Sequence, residues 1–185
     1  MDVDGELLLA LARAAIGLRL GLATDLPEGT ASMQQQAASF VTLQKQGRLR
    51  GCIGSLEAYR PLVEDVAANA VAAAFEDPRF PPLTAEEFAD TRMEVSVLSS
   101  LQPMPVRDEQ DALARLRPGI DGVVLRFGMN RATFLPQVWE QLPEPAQFLA
   151  RLKVKAGLPA DFWDPDLQLH RYTVSKYCEP ESGEE

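Results

Sequence analysis

Apolar and polar positions along this chain follow two different periods, and these periods predict its helices and strands. Five stretches place apolar residues at the spacing of a helix face or carry clear helix boundary signals, such as the Thr84 and Glu87 pair of a capping box. The predicted helices cover residues 6–20, 61–75, a short stretch after Thr84, 108–116 and a stretch that begins at Pro145.

Six other stretches are rich in β-branched and aromatic residues or alternate between apolar and polar positions, which is typical of strands. Gln46-Gly47 and Gly128-Met129-Asn130 are turn signals that join four of these stretches into two hairpins. The predicted strands cover residues 38–45, 48–53, 92–99, 122–127, 131–135 and 167–177.

Residues 38–99 and 122–177 show the same order of elements: hairpin, helix, proline-rich connection and strand. This order predicts an internal duplication, with a boundary between the halves at residues 102–106. We expect an α+β fold in which one curled, mostly antiparallel, barrel-like sheet carries the helices outside. Strand sets that lie in separate, unrelated sheets would contradict this arrangement. We expect residues 1–185 to form a single domain and the acidic tail from Glu179 to be disordered, residues 180–185 included.

Composition narrows the class of protein. Hydrophobic residues make up 46% and charged residues 24% of the chain, and no apolar run approaches the roughly 20 residues of a membrane span. The first residues include acids where a secretory signal carries positive charge, which indicates a cytoplasmic protein. A net charge of −9 opposes binding to the phosphate backbone, so nucleic acid is not an expected partner.

Two cysteines and a single histidine limit the chemistry. Cys52 and Cys178 cannot form a disulfide framework or a four-cysteine metal site, and His170 alone cannot form a histidine zinc site. The sequence contains no phosphate-binding glycine loop and no nucleophile elbow. We therefore expect no metal and no cofactor.

The segment from Gly47 to Ser55 holds the candidate site. On a regular strand Arg48, Arg50 and Cys52 share one face, where the two cations favour the thiolate form of the cysteine. Gly51 and Gly54 remove side-chain bulk, so a ligand can approach the backbone closely. The alternative interpretation is that Cys52 is a small buried hydrophobic residue.

A proline-rich loop at residues 76–83 is the second part of the site. We expect Glu76, Asp77, Arg79 and Phe80 to form an opposing wall for a substrate, and a purely structural clamp is the alternative. The general base is missing from this set. His170 is the only histidine, and a Cys52–His170 pair is weighed against a structural histidine.

The remaining polar residues are weaker candidates. Ser55 is the only hydroxyl near the thiol in sequence, and a turn cap is the favoured interpretation. Cys178 borders the acidic tail, which makes it a poor catalytic candidate.

Several motifs together resemble the AMMECR domain family, whose bacterial and archaeal members are called protein A of the AmmeMemoRadiSam system. The resemblance covers residues 8–179. The motifs are Leu49-Arg50-Gly51-Cys52-Ile53-Gly54, Phe75-Glu76-Asp77-Pro78-Arg79-Phe80-Pro81-Pro82-Leu83, Glu94-Val95-Ser96-Val97-Leu98, Gly122-Val123-Val124-Leu125, Leu135-Pro136-Gln137-Val138 and Lys155-Ala156-Gly157-Leu158-Pro159.

The resemblance implies two repeated β-rich units and two companions, a Memo-type protein similar to extradiol dioxygenases and a radical SAM protein with an iron–sulfur cluster. It does not imply a known activity. Lys153 stands where many prokaryotic relatives have a cysteine, which argues against a two-cysteine mechanism in this chain.

Three functions remain open at this point. The chain is an enzyme with Cys52 as nucleophile and Arg50 as its activating cation, or a module that binds a small molecule around Cys52 without turnover. The third alternative is an adaptor that docks the companions, with Trp139 or Trp163 as anchors, although core packing is the favoured interpretation of both rings.

Overall fold

The computed structural model describes residues 3–180, which form two compact units. Within the described residues, unit 1 comprises residues 3–99 and 175–180, and unit 2 comprises residues 100–174. The first boundary lies three residues before the predicted stretch 102–106. The second boundary, after Val174, was not predicted.

Unit 1 contains a four-stranded antiparallel sheet with the order β2-β1-β3-β8. Three helices accompany the strands in the chain. The elements are α1 (Gly5–Arg19), β1 (Ala38–Lys45), β2 (Arg48–Gly54), α2 (Leu62–Phe75), α3 (Ala85–Ala89), β3 (Thr91–Leu98) and β8 (Val174–Cys178), with a short 3-10 helix at Ala31–Gln34.

Local capping explains where the helices of unit 1 begin. The Asp4 carboxylate accepts hydrogen bonds from two backbone N–H groups of the first turn of α1. Thr84 and Glu87 form the predicted capping box at α3. Helices α1 and α2 then pack their apolar stripes against β1 and β3, and this core includes Leu8, Leu11, Val41, Leu43, Val66, Met93 and Val95.

Unit 2 has its own antiparallel sheet, with the order β4-β7-β5-β6. Its core is built around the stacked rings of Trp139 and Phe148, whose centroids are 3.7 Å apart. The elements are β4 (Gln102–Pro103), α4 (Glu109–Arg115), β5 (Gly122–Phe127), β6 (Asn130–Phe134), α5 (Pro145–Lys155) and β7 (Gln168–Tyr172), with a 3-10 helix at Pro136–Glu140.

The predicted helices and both hairpins are confirmed, but the single curled sheet is wrong. The strands form two separate sheets, and neither closes into a barrel within residues 3–180. The predicted strand 167–177 is also wrong, because it is divided at Thr173 into β7 and β8, which belong to different sheets. A run of strand-forming residues does not show where a chain leaves one sheet for another.

The two sheets nevertheless share one order of strands. In unit 1, β1 is the first strand of the hairpin; it pairs on its other side with β3, and β3 pairs with β8. In unit 2, β5 likewise pairs on its other side with β7, and β7 pairs with β4. The shared order favours the internal duplication, which stays a prediction, as does a single domain over residues 1–185.

The end of the chain differs from the expectation at Glu179. Its carboxylate accepts two hydrogen bonds of 2.6 Å from Arg13, so this residue is anchored and not part of a disordered tail. The predicted disorder of the last residues concerns positions 181–185, which lie outside the described residues. Among the described helices, none has both the length and the apolar character needed to cross a membrane.

Candidate functional site

Cys52 lies on β2, the edge strand of the unit 1 sheet. It pairs with Thr42 of β1, and the Thr42 hydroxyl donates a hydrogen bond of 3.3 Å to Cys52 Sγ. The residue is partly buried and its thiol is free. The alternative that Cys52 is a small buried hydrophobic residue is therefore wrong, because the residue is only partly buried.

A β-bulge changes the predicted faces of β2. Gly51 pairs with Leu43 and Leu49 pairs with Gln44, so Arg50 has no partner residue and the alternation breaks there. Leu49 shares the face of Cys52, whereas Arg48 lies on the opposite face. The prediction that Arg48, Arg50 and Cys52 share one face is wrong, because the extra residue shifts the alternation by one.

Arg50 is held by the loop and helix that follow α2. Its guanidinium donates to both Glu87 carboxylate oxygens at 3.2 and 3.0 Å and to the Pro81 carbonyl at 2.9 Å, and only 9% of the side chain is exposed. Hydrogen bonds from Arg50, together with Lys45, lower the pKa of Glu87 from 4.5 to about 2. Arg50 thus ties β2 to α3, and the structure shows no contact with the thiol.

The cation that reaches Cys52 is Arg79. Its Nη2 donates to the Cys52 carbonyl at 3.4 Å, and Asp77 Oδ2 accepts the Cys52 N–H at 2.9 Å. Arg79 and Asp77 are joined by two further side-chain hydrogen bonds, of 3.0 and 2.7 Å. The two side chains therefore occupy the hydrogen-bonding edge where another strand would pair, which is a common way to protect an edge.

The ion pair between Asp77 and Arg79, which we call the Asp77–Arg79 clamp, keeps both side chains charged. Hydrogen bonds from the Arg79 side chain hold the pKa of the buried Asp77 carboxyl well below its usual range, although burial opposes them. The same pairing raises the pKa of Arg79. Arg79 is still 54% exposed, and among the described residues none accepts a hydrogen bond from its Nη1, so one corner of the guanidinium can meet a ligand.

The other two members of the predicted wall have different surroundings. The Phe80 ring lies between two cations, with the guanidinium carbons of Arg50 and Arg79 at 5.9 and 5.5 Å from its centroid. Glu76 is exposed at the end of α2 and lines a groove with Val71 and Ala72. Asp77 is therefore a structural clamp, which was the alternative interpretation of the loop. The role of the loop as a wall for a substrate stays a prediction.

The glycines beside Cys52 are required by packing. A Cβ on Gly51 would lie 2.1 Å from the Ala73 carbonyl oxygen of α2, and one on Gly54 would lie 2.2 Å from the Phe40 ring. Both positions thus serve close contact with the protein itself. The interpretation that they leave room for a ligand is not needed to explain either residue.

The structure adds a polar row that the sequence analysis missed. Thr42 pairs on its other side with Glu94 of β3, so Cys52, Thr42 and Glu94 follow one another across one face of the sheet; we call these three residues the thiol row. Glu94 in turn accepts from Cys178 Sγ at 3.4 Å and pairs with Lys176 Nζ at 3.4 Å. Burial and the Glu94 charge raise the pKa of Cys178.

The strand pattern contained a signal for this row. Glu94 stands at a polar position of the alternating strand β3, on the face opposite Met93, Val95 and Val97. The pairing with Thr42 depends on register, which one sequence does not give. Cys178 belongs to β8, so the expectation that it borders a tail disordered from Glu179 onward is wrong. Its exclusion as a catalytic residue stays a prediction.

A buried carboxylate, that of Asp65, holds Ser55, the residue that directly follows β2. Asp65 of α2 is fully buried and accepts hydrogen bonds from the Ser39 N–H and hydroxyl, the Ser55 hydroxyl, Arg60 Nε and Asn69 Nδ2, at 2.6 to 3.0 Å. The Ser55 hydroxyl therefore belongs to this network, and its role as a turn cap stays a prediction. Sequence analysis missed this network, because Ser39 and Ser55 are distant from Asp65 in the chain and meet it only in the fold.

The aromatic anchors and the histidine lie in unit 2. Trp139 is buried and donates from Nε1 to the Asp121 carbonyl at 2.7 Å, so it is a core residue and the anchor role is wrong. Trp163 packs on the same core and lies beside Lys153, whose Nζ is 5.7 Å from its ring centroid. His170 lies on β7, and its pairing with Cys52 stays a prediction.

Lys153 is a buried cation inside unit 2. Its Nζ forms an ion pair of 2.5 Å with Glu109, which joins α5 to α4. No group of three His, Cys, Asp or Glu side chains is placed to hold a metal ion within residues 3–180.

Comparison with known proteins places this chain among close relatives. The AMMECR1 family model matches residues 9–177. A protein from Methanothermobacter thermautotrophicus is 39% identical over 184 residues, which cover 95% of this chain and 94% of the relative. A protein from Thermotoga maritima is 40% identical over 146 residues, which cover 78% and 79% of the two chains.

A solved structure has the same fold. The crystal structure of the uncharacterized protein PH0010 from Pyrococcus horikoshii superposes with a TM-score of 0.78 at 33% identity, over 94% of this chain and 92% of the other. Family model, relatives and fold agree over nearly the whole length of the chain. It therefore belongs to the AMMECR1 family.

Proposed function

We propose that this AMMECR1 family protein binds or processes a small molecule at the thiol row, in a cytoplasmic pathway with a Memo-type protein and a radical SAM protein. The observation that carries the proposal is the contrast between the main chain of Cys52 and its side chain. Its backbone N–H and carbonyl are both held at the sheet edge by the Asp77–Arg79 clamp, whereas its thiol lies on one face of the sheet, where the Thr42 hydroxyl donates a hydrogen bond to it.

Such an arrangement favours a ligand site over a structural cysteine. A thiol used for packing alone needs no rigid polar support, but a reacting or binding group must be held in one geometry. The Thr42 hydroxyl can stabilise negative charge on the sulfur. The free corner of Arg79 can bind an anionic group of the ligand.

Glu94 is positioned to act on the ligand and not on the thiol. It stands two strands away from Cys52, a distance of about 10 Å at the usual strand spacing. A molecule that lies across Thr42 can therefore contact the thiol at one end and the carboxylate at the other. Glu94 then supplies the proton acceptor that the sequence analysis failed to find.

An adaptor without a reactive site is the second candidate, and one surface of unit 1 favours it. A groove of about 730 Å³ runs along α1 and α2 and is lined by Leu18, Leu26, Val63, Ala67 and Val71. Two of these apolar residues are well exposed, Leu18 at 38% and Leu26 at 44%. With Trp139 buried, this groove replaces the tryptophans as the surface for a companion protein.

Two variants separate these functions. Cys52→Ser removes the thiol, Leu26→Ser changes the groove, and Met129→Ser, at a fully exposed turn of unit 2, is the control. Each is introduced into the chromosome of the host and followed by metabolite profiling and by co-purification with the two companions. We expect Cys52→Ser to change the level of a small molecule while the companions still co-purify. Loss of co-purification in Leu26→Ser, with no metabolite change in Cys52→Ser, would support the adaptor.

A further inference from the structure

Two acids mark the ends of the groove that runs along α1 and α2 in unit 1. Glu64 lies in the first turn of α2, Glu76 directly follows its last residue, and both line the groove. Steps of four residues connect them through Ala68 and Ala72, which also belong to the lining, and the whole row spans about 18 Å of helix. The row is therefore acidic at both ends and small and apolar between them.

The carboxylate of Glu64 is not neutralised by the cation of the same lining. Arg60 also lines the groove, but its Nε is paired with the buried Asp65 carboxylate at 2.7 Å. Within residues 3–180, no hydrogen bond or ion pair joins the exposed Glu64 side chain to another residue. This end of the groove consequently presents a negative charge to whatever binds there.

The carboxylate of Glu76 stands at an unfavourable position. It lies at the C-terminal end of α2, where the helix dipole disfavours an anion. The nearest cation of α1, Arg19, lies over the Phe75 ring at 5.9 Å, and in the described part of the chain the Glu76 side chain forms no ion pair. An acid at such a position is explained by a cation that a partner supplies.

The opposite wall of the groove is apolar and accessible. It is formed by Leu18, in the last turn of α1, and by Leu26, in the loop that follows. This loop runs beside the start of α2, because a Cβ on Gly29 would lie 3.1 Å from Val63 Cγ2. The small side chains of the α2 row allow the backbone of another helix to approach closely. The groove therefore has the length of about three helical turns and the profile of a helix-binding site.

We propose that this groove binds an amphipathic helix of another protein, one with an apolar stripe and a lysine or arginine at each end of the stripe. The stripe would cover Leu18 and Leu26, and the two cations would pair with Glu64 and Glu76. The same acids, in a chain with a net charge of −9, oppose an anionic membrane surface. This inference rests on the groove of the adaptor function, the second candidate above, and uses no residue of the thiol row.

Fluorescence anisotropy with the purified full-length protein tests this inference. The probe is a labelled amphipathic model peptide of about 18 residues with one leucine stripe and lysines at both of its ends, and a second peptide carries glutamates in place of the lysines. We expect the wild type to bind the lysine peptide and not the glutamate peptide. Glu64→Gln combined with Glu76→Gln should weaken binding about tenfold, and Leu26→Ser should weaken it by a similar factor.

The matched control replaces two exposed acids of unit 2 and makes the same change in net charge. Glu140→Gln combined with Glu144→Gln should bind the lysine peptide as the wild type does. Thermal unfolding separates lost binding from lost structure. Glu76→Gln should unfold at the same or a slightly higher temperature than the wild type, because the α2 dipole then no longer meets an anion.

Three binding results would overturn the proposal: no binding of the lysine peptide by the wild type, equal binding of the glutamate peptide, or undiminished binding by the variant that lacks both groove acids. A dimer in sedimentation that dissociates in Leu26→Ser would also overturn it, because a second copy of the chain would then occupy the groove. Loss of companion proteins from Leu26→Ser without any peptide binding would reject the basic helix and retain the adaptor. The result for Cys52→Ser in the cell affects none of these measurements.

Discussion

The backbone N–H of Cys52 donates a 2.9 Å hydrogen bond to Asp77 Oδ2. A side chain of the proline-rich loop thus completes the edge of β2 at the residue that carries the thiol. Asp77→Ala leaves this N–H without its acceptor and Arg79 without its partner, and we expect a loss of about 2–3 kcal/mol in the free energy of unfolding. Asp77→Asn keeps an acceptor oxygen and should cost about 1 kcal/mol.

Urea denaturation of both Asp77 variants checks this prediction. Equal losses in the two variants would mean that the acceptor oxygen at Asp77 contributes nothing. The wild type should also lose the contribution of Asp77 in acid. Because the folded-state pKa of Asp77 lies below the ordinary value of 3.8, its stabilisation is complete above that pH and declines as the pH falls further.

Arg50 should stabilise the fold through its ion pair with Glu87 and should not affect the reactivity of Cys52. Glu87→Gln leaves the nearly buried guanidinium without its charge partner, and we expect a loss of about 2–3 kcal/mol at pH 7. The pKa of Glu87 falls from 4.5 to about 2 on folding, so the wild-type advantage is complete above pH 4.5 and is lost as the pH approaches 2.

The control for this prediction is the exposed neighbour Glu86. Glu86→Gln should change the unfolding free energy by less than about 0.5 kcal/mol at any pH. Denaturation curves at pH 7 and pH 3 give the comparison. A Glu87→Gln loss that is the same at both values of pH would contradict the assigned ion pair.

Gly51 should tolerate no side chain, because the Ala73 carbonyl oxygen occupies the space that Cβ would need. We expect Gly51→Ala to destabilise the protein by about 3 kcal/mol or more, since the obstacle is backbone. Gly47, in the hairpin turn with a φ of 72°, has no atom within 4 Å of its virtual Cβ. Gly47→Ala should therefore cost only about 1–2 kcal/mol of backbone strain. The reverse order in thermal or urea unfolding would show that α2 does not pack on β2 as described.

Cys178 should report the charge of Glu94. Burial and Glu94 raise the pKa of the Cys178 thiol, so its iodoacetamide labelling at pH 8 should be slow. Glu94→Gln removes one of these causes and should accelerate labelling about threefold to tenfold. Lys176→Gln removes a cation that lowers the pKa of Cys178 and should slow labelling. Changes of the same sign in both variants would contradict the contact between Glu94 and Cys178.

Sequence patterns predicted the local elements well because each has a local cause. The stripe of residues 61–75, the Thr84 and Glu87 box and the Gln46-Gly47 turn all act within a few residues of one another. Membership of a sheet has no such local cause. The division of residues 167–177 at Thr173 depends on which strands are already paired, and this is a property of the whole fold.

The site shows the same limit more sharply. Cys52 and the Asp77–Arg79 pair were predicted as parts of one site, and they do meet. The contacts of the arginines differ from the prediction, however. Arg79 reaches the backbone carbonyl of Cys52, and Arg50 pairs with Glu87, because one bulged residue at Arg50 reverses the alternation of β2. Glu94 was missed because it reaches Thr42 only through the register of β1 and β3, and Asp65 because its partners lie 10 to 26 residues away in the chain apart from Arg60 and Asn69.

Alkylation of the folded protein tests whether the Cys52 thiol is accessible to a small molecule. In a Cys178→Ser background, iodoacetamide labelling is followed by intact mass in native buffer at pH 7 and 8. We expect one label per chain at a rate within about tenfold of free cysteine, and slower labelling when Thr42→Val removes the hydroxyl beside the sulfur. Labelling that requires denaturant, with no effect of Thr42→Val, would contradict it and favour the adaptor.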